Sequence, residues 1–297
     1  MKVLLIHHDG AGGGSTSGEA VAAALENAGW KVRRLDRKAA DAKAIKSAGT
    51  DLIVIAGGDG TVAAVLAMLP DRSVPVGIIP TGTANNIARS LGIAGAPEAI
   101  VAGWDLDRRQ RFDIGTAEGA WGRRAFAEGV GFGAFADSLR LAPRADGEEK
   151  FRTGREALRN ALRIAAPVAL EIHVEGRQAP GDLLLVEILN VPLAGPRLRL
   201  APGADPGDGR LHVSCLGESA RGAMERWLES GEDPRMPVEI LTGHEVVVLG
   251  GGIMMRIDDE CRWLKPDSKV SIRLECEPVQ ILAPPDRPAL AGQPVRR

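Results

Sequence analysis

The sequence predicts two domains: an α/β domain with an open, mainly parallel sheet and flanking helices, followed by an all-β, sandwich-like domain. At 297 residues, the chain is longer than one hydrophobic core usually serves. Its first part alternates strand and helix patterns, whereas the later part has short β-rich runs separated by Gly, Pro and Asp. We expect an α/β domain over 1–115, a β domain over 116–283 and a flexible tail over 284–297.

Four apolar runs predict the strands of the first domain, namely KVLLI, WKVRRLD, DLIVIA and VPVGIIP. An Ala-rich helix follows the first strand and a short helix, DAKAIKSAG, follows the second. Helices from Val62 and from Asn85 follow the third and fourth. In open parallel sheets, ligands bind beyond the carboxyl ends of the strands. The turns after the third and fourth strands are therefore the candidate site.

Short β-rich runs predict the second domain: ALEIHVEG, DLLLVEILNVP, RLHVSCLG, VEILTGHEVVVLG, IMMRIDDE and KVSIRLECEPVQIL. One helix interrupts them over 151–165, with Leu158 on an apolar side and Arg155, Arg159 and Arg163 on another. An amphipathic helix packed on the sheet is the favoured interpretation. A basic strip that faces phosphate or a membrane is the alternative.

Charge and hydropathy narrow the class of protein. The net charge is −2, so the chain as a whole has no strong attraction for nucleic acid, and we expect no nucleic-acid partner. The N-terminus, MKVLLIHHDG, has too short an apolar run for a signal peptide, and no stretch approaches the ~18 apolar residues of a membrane span. We expect a cytoplasmic protein.

The string GGDGT follows the third strand and begins a helix. Gly57, Gly58 and Gly60 remove every Cβ from the turn, so its backbone can approach a bulky ligand. Thr61 lies in the first helical turn, whose N–H groups would face a phosphate. Asp59 would repel phosphate by itself but becomes useful with a bound Mg²⁺. A tight connection without a ligand is the plain alternative.

The same turn also matches the dinucleotide fingerprint G-x-G-x-x-A through Gly58, Gly60 and Ala63. That fingerprint normally follows the first strand and needs an acidic residue ~20 positions later. Ile79, Pro80 and Thr81 stand there instead, so this match is weak.

With PTGTANNIARSLGI, the GGDGT turn resembles the diacylglycerol kinase catalytic domain family, bacterial lipid kinases similar to sphingosine and ceramide kinases. Three later strings extend the resemblance: FAEGVGFGAFAD, NVPLAGPRLRLAPGADPGDGRLHV and IDDE. NAD kinases and phosphofructokinases share GGDGT, whereas P-x-G-T-x-N-x-x-A-R is more specific. The resemblance implies a fold like that of NAD kinase and diacylglycerol kinase. It also implies ATP- and Mg²⁺-dependent transfer of the γ-phosphate to a hydroxyl of a diacylglycerol-like lipid, within phospholipid biosynthesis.

The resemblance also implies site residues. The ATP phosphates and their Mg²⁺ would be held by Gly57, Gly58, Asp59, Gly60 and Thr61, and Thr83 would touch the nucleotide. Asp258 falls at the catalytic base and Glu260 at its supporting acid, whereas an acidic turn facing water is the plain alternative. A second, structural Mg²⁺ would be bound by Asp205, Asp208 and the neighbourhood of Arg210, partly through backbone oxygens. A plain Asp-Gly turn is the alternative there.

Three departures from the family pattern concern the same motifs. His8 stands where the family's early Asn-Pro loop has an amide, ahead of Asp9, Gly10, Ala11 and Gly12. Asp259 replaces the glycine of D-G-E, which implies strain if that position needs a positive φ. Asp36 ends the second strand where relatives often have Thr, and could bond a ribose hydroxyl.

The sequence thus predicts a lipid kinase with its active site in a cleft between the two domains. Its partners would be ATP and a lipid reached by peripheral contact at the inner face of the membrane. A second copy of the chain, forming a homodimer, is a further candidate partner. A kinase acting on a soluble nucleotide, like NAD kinase, is one alternative. A nucleotide-binding regulatory protein without turnover is another, motivated by His8 and Asp259. Nothing in the sequence identifies the lipid.

Overall fold

The computed structural model describes residues 1–8, 17–142, 145, 147–230 and 236–285. The chain divides into two compact units. One contains Met1–Ile114 and the chain from Cys276 onward, and the other contains Gly115–Glu275.

The first unit alternates strands and helices as the sequence predicts. Its elements are β1 (Lys2–His7), α1 (Gly18–Asn27), β2 (Lys31–Asp36), α2 (Ala42–Ala48), β3 (Leu52–Gly57), α3 (Asp59–Met68), β4 (Val76–Pro80), α4 (Asn86–Ser90), α5 (Pro97–Ala102) and β5 (Arg109–Phe112), with a 3-10 turn at Arg37–Ala39. Strands β2, β1, β3 and β4 lie side by side and parallel. Every residue of β3 is buried, which explains its unbroken apolar run.

In its described residues, the second unit contains two six-stranded antiparallel sheets, three α-helices and a 3-10 turn at Glu218–Ala220. Its elements are β6 (Gly115–Gly119), β7 (Gly122–Phe126), β8 (Gly129–Gly133), α6 (Ala134–Leu141), α7 (Gly147–Ile164), β9 (Leu170–Val174), β10 (Arg177–Gln178), β11 (Leu183–Leu189), β12 (Leu211–Gly217), α8 (Arg221–Ser230), β13 (Glu239–Gly243), β14 (Glu245–Gly250), β15 (Ile253–Ile257), β16 (Glu260–Leu264) and β17 (Ser268–Leu274). The strand orders are β10-β9-β14-β17-β6-β7 and β13-β12-β11-β8-β15-β16.

The two sheets pack face to face. One core cluster joins Val248 and Ile272 of the first sheet to Phe132 and Val186 of the second. This packing confirms the predicted sandwich.

The helices cover the other face of the second sheet. Leu158 and Leu162 of α7 are buried in a second cluster, which confirms a packed amphipathic helix. On its outer side, Arg159 pairs with Glu229 at 2.6 Å. The helix begins at Gly147 rather than at 151. Within the part of the chain that the structure describes, no helix is long and apolar enough to cross a membrane.

The chain returns to the first unit at its end, which differs from the predicted domain limits. The last strand, β18 (Val279–Leu282), pairs in parallel with β4 and antiparallel with β5, so the first sheet is mixed. The β-rich pattern of this run predicts that it belongs to the β domain of 116–283. Local periodicity gives a strand but not its partner, because the pairing joins segments that are far apart in the chain. The tail expected over 284–297 lies outside the described residues from 286 onward.

Candidate active site

The Gly-rich turn after β3 leads directly into α3. Gly58 is the N-cap of α3, with an extended backbone (φ −86°, ψ −176°), so the helix begins at Asp59, earlier than the predicted Val62. The N–H groups of Thr61 and Val62 both donate to the carbonyl of Gly58, each at 3.0 Å. As a glycine, Gly58 supplies no side-chain cap to this helix. Its N-terminus is therefore suited to an anion, as the sequence predicts.

The glycines of this turn are required by close contacts. A Cβ on Gly57 would lie 2.5 Å from the Cβ of Thr61. A Cβ on Gly58 would lie 3.1 Å from the Cα of Gly82, which belongs to the turn after β4. The N–H of Thr81 donates to the carbonyl of Gly57 at 3.1 Å. The two predicted ligand turns thus lie against each other.

Asn85 shapes the second turn. It adopts a left-handed conformation (φ 52°), which Asn tolerates better than most residues. Its side-chain oxygen accepts from the N–H of Gly82 at 3.0 Å, and its amide nitrogen donates to the carbonyl of Gly82 at 2.7 Å. Thr83 lies within this turn and is partly exposed.

Asp59 connects the two turns. Its Oδ1 accepts from the N–H of Ile87 in α4 at 2.9 Å. The structure therefore brings together six of the seven residues predicted to bind the nucleotide, which are Gly57, Gly58, Asp59, Gly60, Thr61 and Thr83. It also gives Asp59 a structural contact that the sequence did not indicate.

Asp36 lies at the end of β2, on the same edge of the sheet. It pairs in register with His7 of β1, the strand next to β3. Its Oδ1 accepts from the N–H of Lys38 at 2.7 Å and caps a 3-10 turn. A contact with ribose stays a prediction. His8 follows β1, whereas the rest of that loop, 9–16, lies outside the described residues.

Asp258 and Asp259 form the two-residue turn of the β15–β16 hairpin, in which Ile257 pairs with Glu260. The left-handed residue is Asp258 (φ 48°), whereas Asp259 does not have a positive φ. The strain considered for Asp259 therefore does not arise. Glu260 is exposed, with its Oε2 3.8 Å from Nη2 of Arg262.

Three backbone N–H groups hold the Asp258 carboxylate. Oδ1 accepts from Glu128 at 2.8 Å and from Gly129 at 3.1 Å, and Oδ2 accepts from Ala127 at 3.0 Å. Burial raises the pKa of Asp258 to about 6, although the three N–H bonds and Arg256 act against this shift. A carboxylate with such a pKa is ionised at neutral pH and is still basic enough to accept a proton.

Beneath Asp258 lies a buried ion pair that is not among the residues predicted from the sequence. Arg256 and Glu187 are both completely buried, and Glu187 Oε2 accepts from Arg256 Nε at 3.0 Å and from Nη2 at 2.5 Å. Nη1 of Arg256 donates to the carbonyl of Asp258 at 2.9 Å. The sequence does carry a signal for this pair, because Arg256 interrupts the apolar strand IMMRI and Glu187 interrupts the apolar strand LLLVEIL.

The segment predicted to hold a second Mg²⁺ forms a turn. Asp205 Oδ1 accepts from the N–H of Gly207 at 3.2 Å, and Asp208 Oδ1 accepts from the N–H of Arg210 at 2.8 Å. Asp208 Oδ2 lies 3.4 Å from Nε2 of His212. Oxygen donors suit Mg²⁺. However, the described residues contain no group of three His, Cys, Asp or Glu side chains placed to hold a metal.

Known domain families match both parts of the chain. The diacylglycerol kinase catalytic domain matches residues 2–117. The YegS C-terminal NAD kinase beta sandwich-like domain matches residues 131–282.

Curated relatives include kinases. The chain is 30% identical over 183 residues to a diacylglycerol kinase of Mycobacterium tuberculosis, a match that spans 58% of this chain and 57% of that protein. It is 31% identical over 228 residues to the "Probable lipid kinase YegS-like" of Pseudomonas fluorescens, spanning 72% of this chain and 73% of the relative. The chain thus covers little more than half of the mycobacterial kinase.

Solved structures share the fold. A crystal structure of a diacylglycerol kinase from Bacillus anthracis superposes with a TM-score of 0.67 at 20% identity, covering 96% of this chain and 97% of that one. An NAD kinase from Archaeoglobus fulgidus in complex with ATP has a TM-score of 0.53 at 12% identity, covering 97% of this chain and 95% of that one.

The chain has an α/β unit with paired Gly-rich turns and a β-sandwich unit. This is the fold shared by the two kinase structures. The sequence relationship is more specific. The chain belongs to the diacylglycerol kinase catalytic domain family, a family of lipid kinases, as the resemblance of its motifs predicts.

Proposed function

We propose that the protein is an ATP- and Mg²⁺-dependent kinase that phosphorylates a hydroxyl of a diacylglycerol-like lipid. One observation carries this proposal beyond the family. Gly58 in the turn after β3 lies against Gly82 in the turn after β4, and Gly58, as the N-cap of α3, places no side chain at the N-terminus of that helix. Such backbone leaves room for phosphates at a helix N-terminus.

The nucleotide would be held by the chain's own backbone. The phosphates would bind the N–H groups at the start of α3, with Gly57, Gly58, Gly60, Thr61 and Thr83 around them. Asp59 is the carboxylate that would hold Mg²⁺, directly or through water, because it stands in the first turn of α3 beside the proposed phosphate site. Bound Mg²⁺ would supply charge neutralisation for the phosphates. Asp36 would bond the ribose.

Asp258 would accept the proton of the attacking lipid hydroxyl. Its Oδ2 accepts one N–H bond, from Ala127, whereas Oδ1 accepts two. Oδ2 therefore has a lone pair that can receive the proton. Glu260 on the next strand would be the supporting acid that the family resemblance implies, since a second negative charge makes a neighbouring carboxylate more basic. Phosphoryl transfer needs positioning and a proton acceptor more than covalent chemistry.

The experiment is γ-phosphate transfer from ATP with Mg²⁺ to micellar diacylglycerol, monoacylglycerol, sphingosine, ceramide and phosphatidylglycerol, and to NAD in solution. The native chain is compared with Asp258→Asn. Asp267→Asn is a matched control, because Asp267 is also left-handed (φ 54°) but is exposed in a different turn. A labelled lipid that disappears only with Asp258→Asn supports the proposal and identifies the acceptor.

The same assay separates the alternatives. The shared fold with an NAD kinase favours a soluble-nucleotide kinase as the second candidate, and phosphorylation of NAD alone would establish it. ATP binding without transfer to any acceptor would favour a regulatory protein. Sedimentation with anionic lipid vesicles tests the proposed peripheral contact with the membrane.

A further inference from the structure

A row of three residues crosses the second sheet of the β-sandwich unit beneath Asp258. Gly131 on the central strand β8 pairs in register with Glu187 on β11 and with Arg256 on β15. A Cβ on Gly131 would lie 2.0 Å from Glu187 Oε1. The glycine therefore lets the two charged side chains meet across the strand that separates them.

Stability does not explain this pair. Glu187 and Arg256 are fully buried on the face covered by helices, where neighbours such as Leu185 and Leu189 are apolar. Among the residues that the structure describes, Glu187 Oε1 has no hydrogen-bond partner. Burying two charges is costly, and apolar replacement of such pairs is often neutral or stabilising. A role other than stability is therefore indicated.

The geometry of Arg256 indicates that role. Glu187 fixes Nε and Nη2, and the ring of Phe135 lies 5.0 Å from the guanidinium carbon. The remaining nitrogen, Nη1, is thereby directed at the carbonyl of Asp258. On the other side of the same residue, the Asp258 N–H donates to the carbonyl of Gly129 at 2.9 Å.

The backbone of Asp258 needs such support. Its φ of 48° is a left-handed conformation that costs a non-glycine residue free energy unless the surroundings fix it. In this conformation, both carboxylate oxygens accept from the N–H groups of Ala127, Glu128 and Gly129.

We propose that Glu187 and Arg256 are positioning residues: their buried ion pair holds the Asp258 backbone left-handed, so that its carboxylate is oriented for proton transfer. This inference rests on the proposed function, in which Asp258 is the base. Neither residue touches substrate, and both act through Asp258.

The test replaces the pair by apolar side chains in the full chain, Glu187→Leu with Arg256→Met. We expect a midpoint of thermal unfolding close to that of the native chain, a kcat for lipid phosphorylation lower by about 10- to 100-fold, and an unchanged KM for ATP. In the Asp258→Asn background, the double replacement should have no further effect on kcat. Arg159→Met with Glu229→Gln, which removes a partly exposed pair of the same unit, is the control and should leave kcat unchanged.

A second readout does not depend on activity. Hydrogen exchange should show faster exchange of the Glu128 and Gly129 amides in the apolar variant, with unchanged protection of the β12 amide of Val213. If the native chain phosphorylates no lipid, the proposed function fails, and this readout still decides the positioning role. Unchanged protection of Glu128 and Gly129, or a kcat loss that adds fully to that of Asp258→Asn, would overturn the inference. If the apolar pair does not fold, Arg256→Lys takes its place, because Lys keeps the charge but lacks the planar fork of donors.

Discussion

A methyl group on Gly82 would lie 2.4 Å from the Cα of Gly58. The clash is with backbone and not with the end of a flexible side chain, so a substitution must displace one of the two turns. These turns follow the adjacent parallel strands β3 and β4. Asp59, at the end of the turn after β3, accepts a hydrogen bond from α4, the helix that follows the other turn. The proposed phosphate site is therefore a single interlocked unit.

Gly82→Ala should weaken nucleotide binding strongly and lower the stability of the protein by about 1–3 kcal/mol, the usual cost of overpacking. Titration with a fluorescent ATP analogue and thermal unfolding measure the two effects. Gly181→Ala is the control, because a Cβ there meets nothing within 4 Å. Native affinity in the Gly82 variant would show that the contact of the turns is not needed for the nucleotide.

Asp59→Asn and Asp59→Ala should separate the two roles of this carboxylate. Asn keeps an oxygen that can accept from Ile87, so we expect near-native stability, whereas Ala removes this cap and costs about 1 kcal/mol. Both changes remove the charge that would hold Mg²⁺, so both should lower kcat. Mg²⁺-dependent transfer that persists in Asp59→Asn would contradict the metal role.

The sequence predicted the parts of the fold that depend on local pattern. The buried run of β3 followed by glycines predicts a strand, a turn and a helix, and all three occur. That the turns after β3 and β4 meet also follows, because the carboxyl ends of neighbouring parallel strands share one edge.

The features that sequence did not predict depend on contacts between distant segments. Strand β18 pairs with β4, some two hundred positions earlier in the chain. The Arg256–Glu187 pair joins two apolar strands, each of which predicts only a buried segment by itself. Likewise, Asp258 and not Asp259 is left-handed, and its carboxylate accepts from the N–H groups of residues 127–129, which are distant in the chain.

The activity should fall at acid pH with a midpoint near the Asp258 pKa of about 6, because the protonated carboxyl cannot accept the proton of the lipid hydroxyl. Below that value, kcat should fall about tenfold per pH unit. Asp258→Asn should lower kcat by about 100-fold or more and remove this acidic limb from the residual rate. If kcat of Asp258→Asn still falls at the same acid pH, the titrating group is not Asp258.

The same carboxyl should also affect stability. Its pKa is raised from 3.8 to about 6, so between these values the folded state holds more protons than the unfolded state. The contribution of Asp258 to stability is therefore fully present below pH 3.8 and is lost as the pH rises through 6. Urea unfolding of the native chain and of Asp258→Asn across this range measures this loss: the stability of the native chain relative to the variant should fall as the pH rises from 3.8 through 6. A constant difference would show that the pKa is not raised.

Asp259→Gly should not increase activity. The strain that a glycine would relieve lies at Asp258, and Asp259 has no positive φ. The change removes an exposed charge and adds backbone freedom to the unfolded chain, which costs at most about 1 kcal/mol. Steady-state kinetics and thermal unfolding test this. A marked gain in kcat would show that the charge of Asp259 inhibits the reaction.

Mg²⁺ without nucleotide should stabilise the β-sandwich unit if Asp205, Asp208 and the backbone near Arg210 bind it. The guanidinium of Arg210 cannot be a ligand and instead donates to Thr242 Oγ1 at 3.3 Å, so only the backbone oxygen is available at this position. A metal ligated by Asp208 Oδ2 would replace the contact with His212.

For a dissociation constant of ~1 mM, ~10 mM Mg²⁺ would add about 1.4 kcal/mol to the free energy of unfolding, a shift of a few degrees in the unfolding midpoint. Asp208→Asn keeps an oxygen for the N–H of Arg210 and should abolish the shift, whereas Asp182→Asn, at an exposed left-handed turn residue, should retain it. An equal shift in both variants would assign the Mg²⁺ effect to another site, and no shift in the native chain would leave this segment as an Asp-Gly turn held by Asp205, Asp208 and His212.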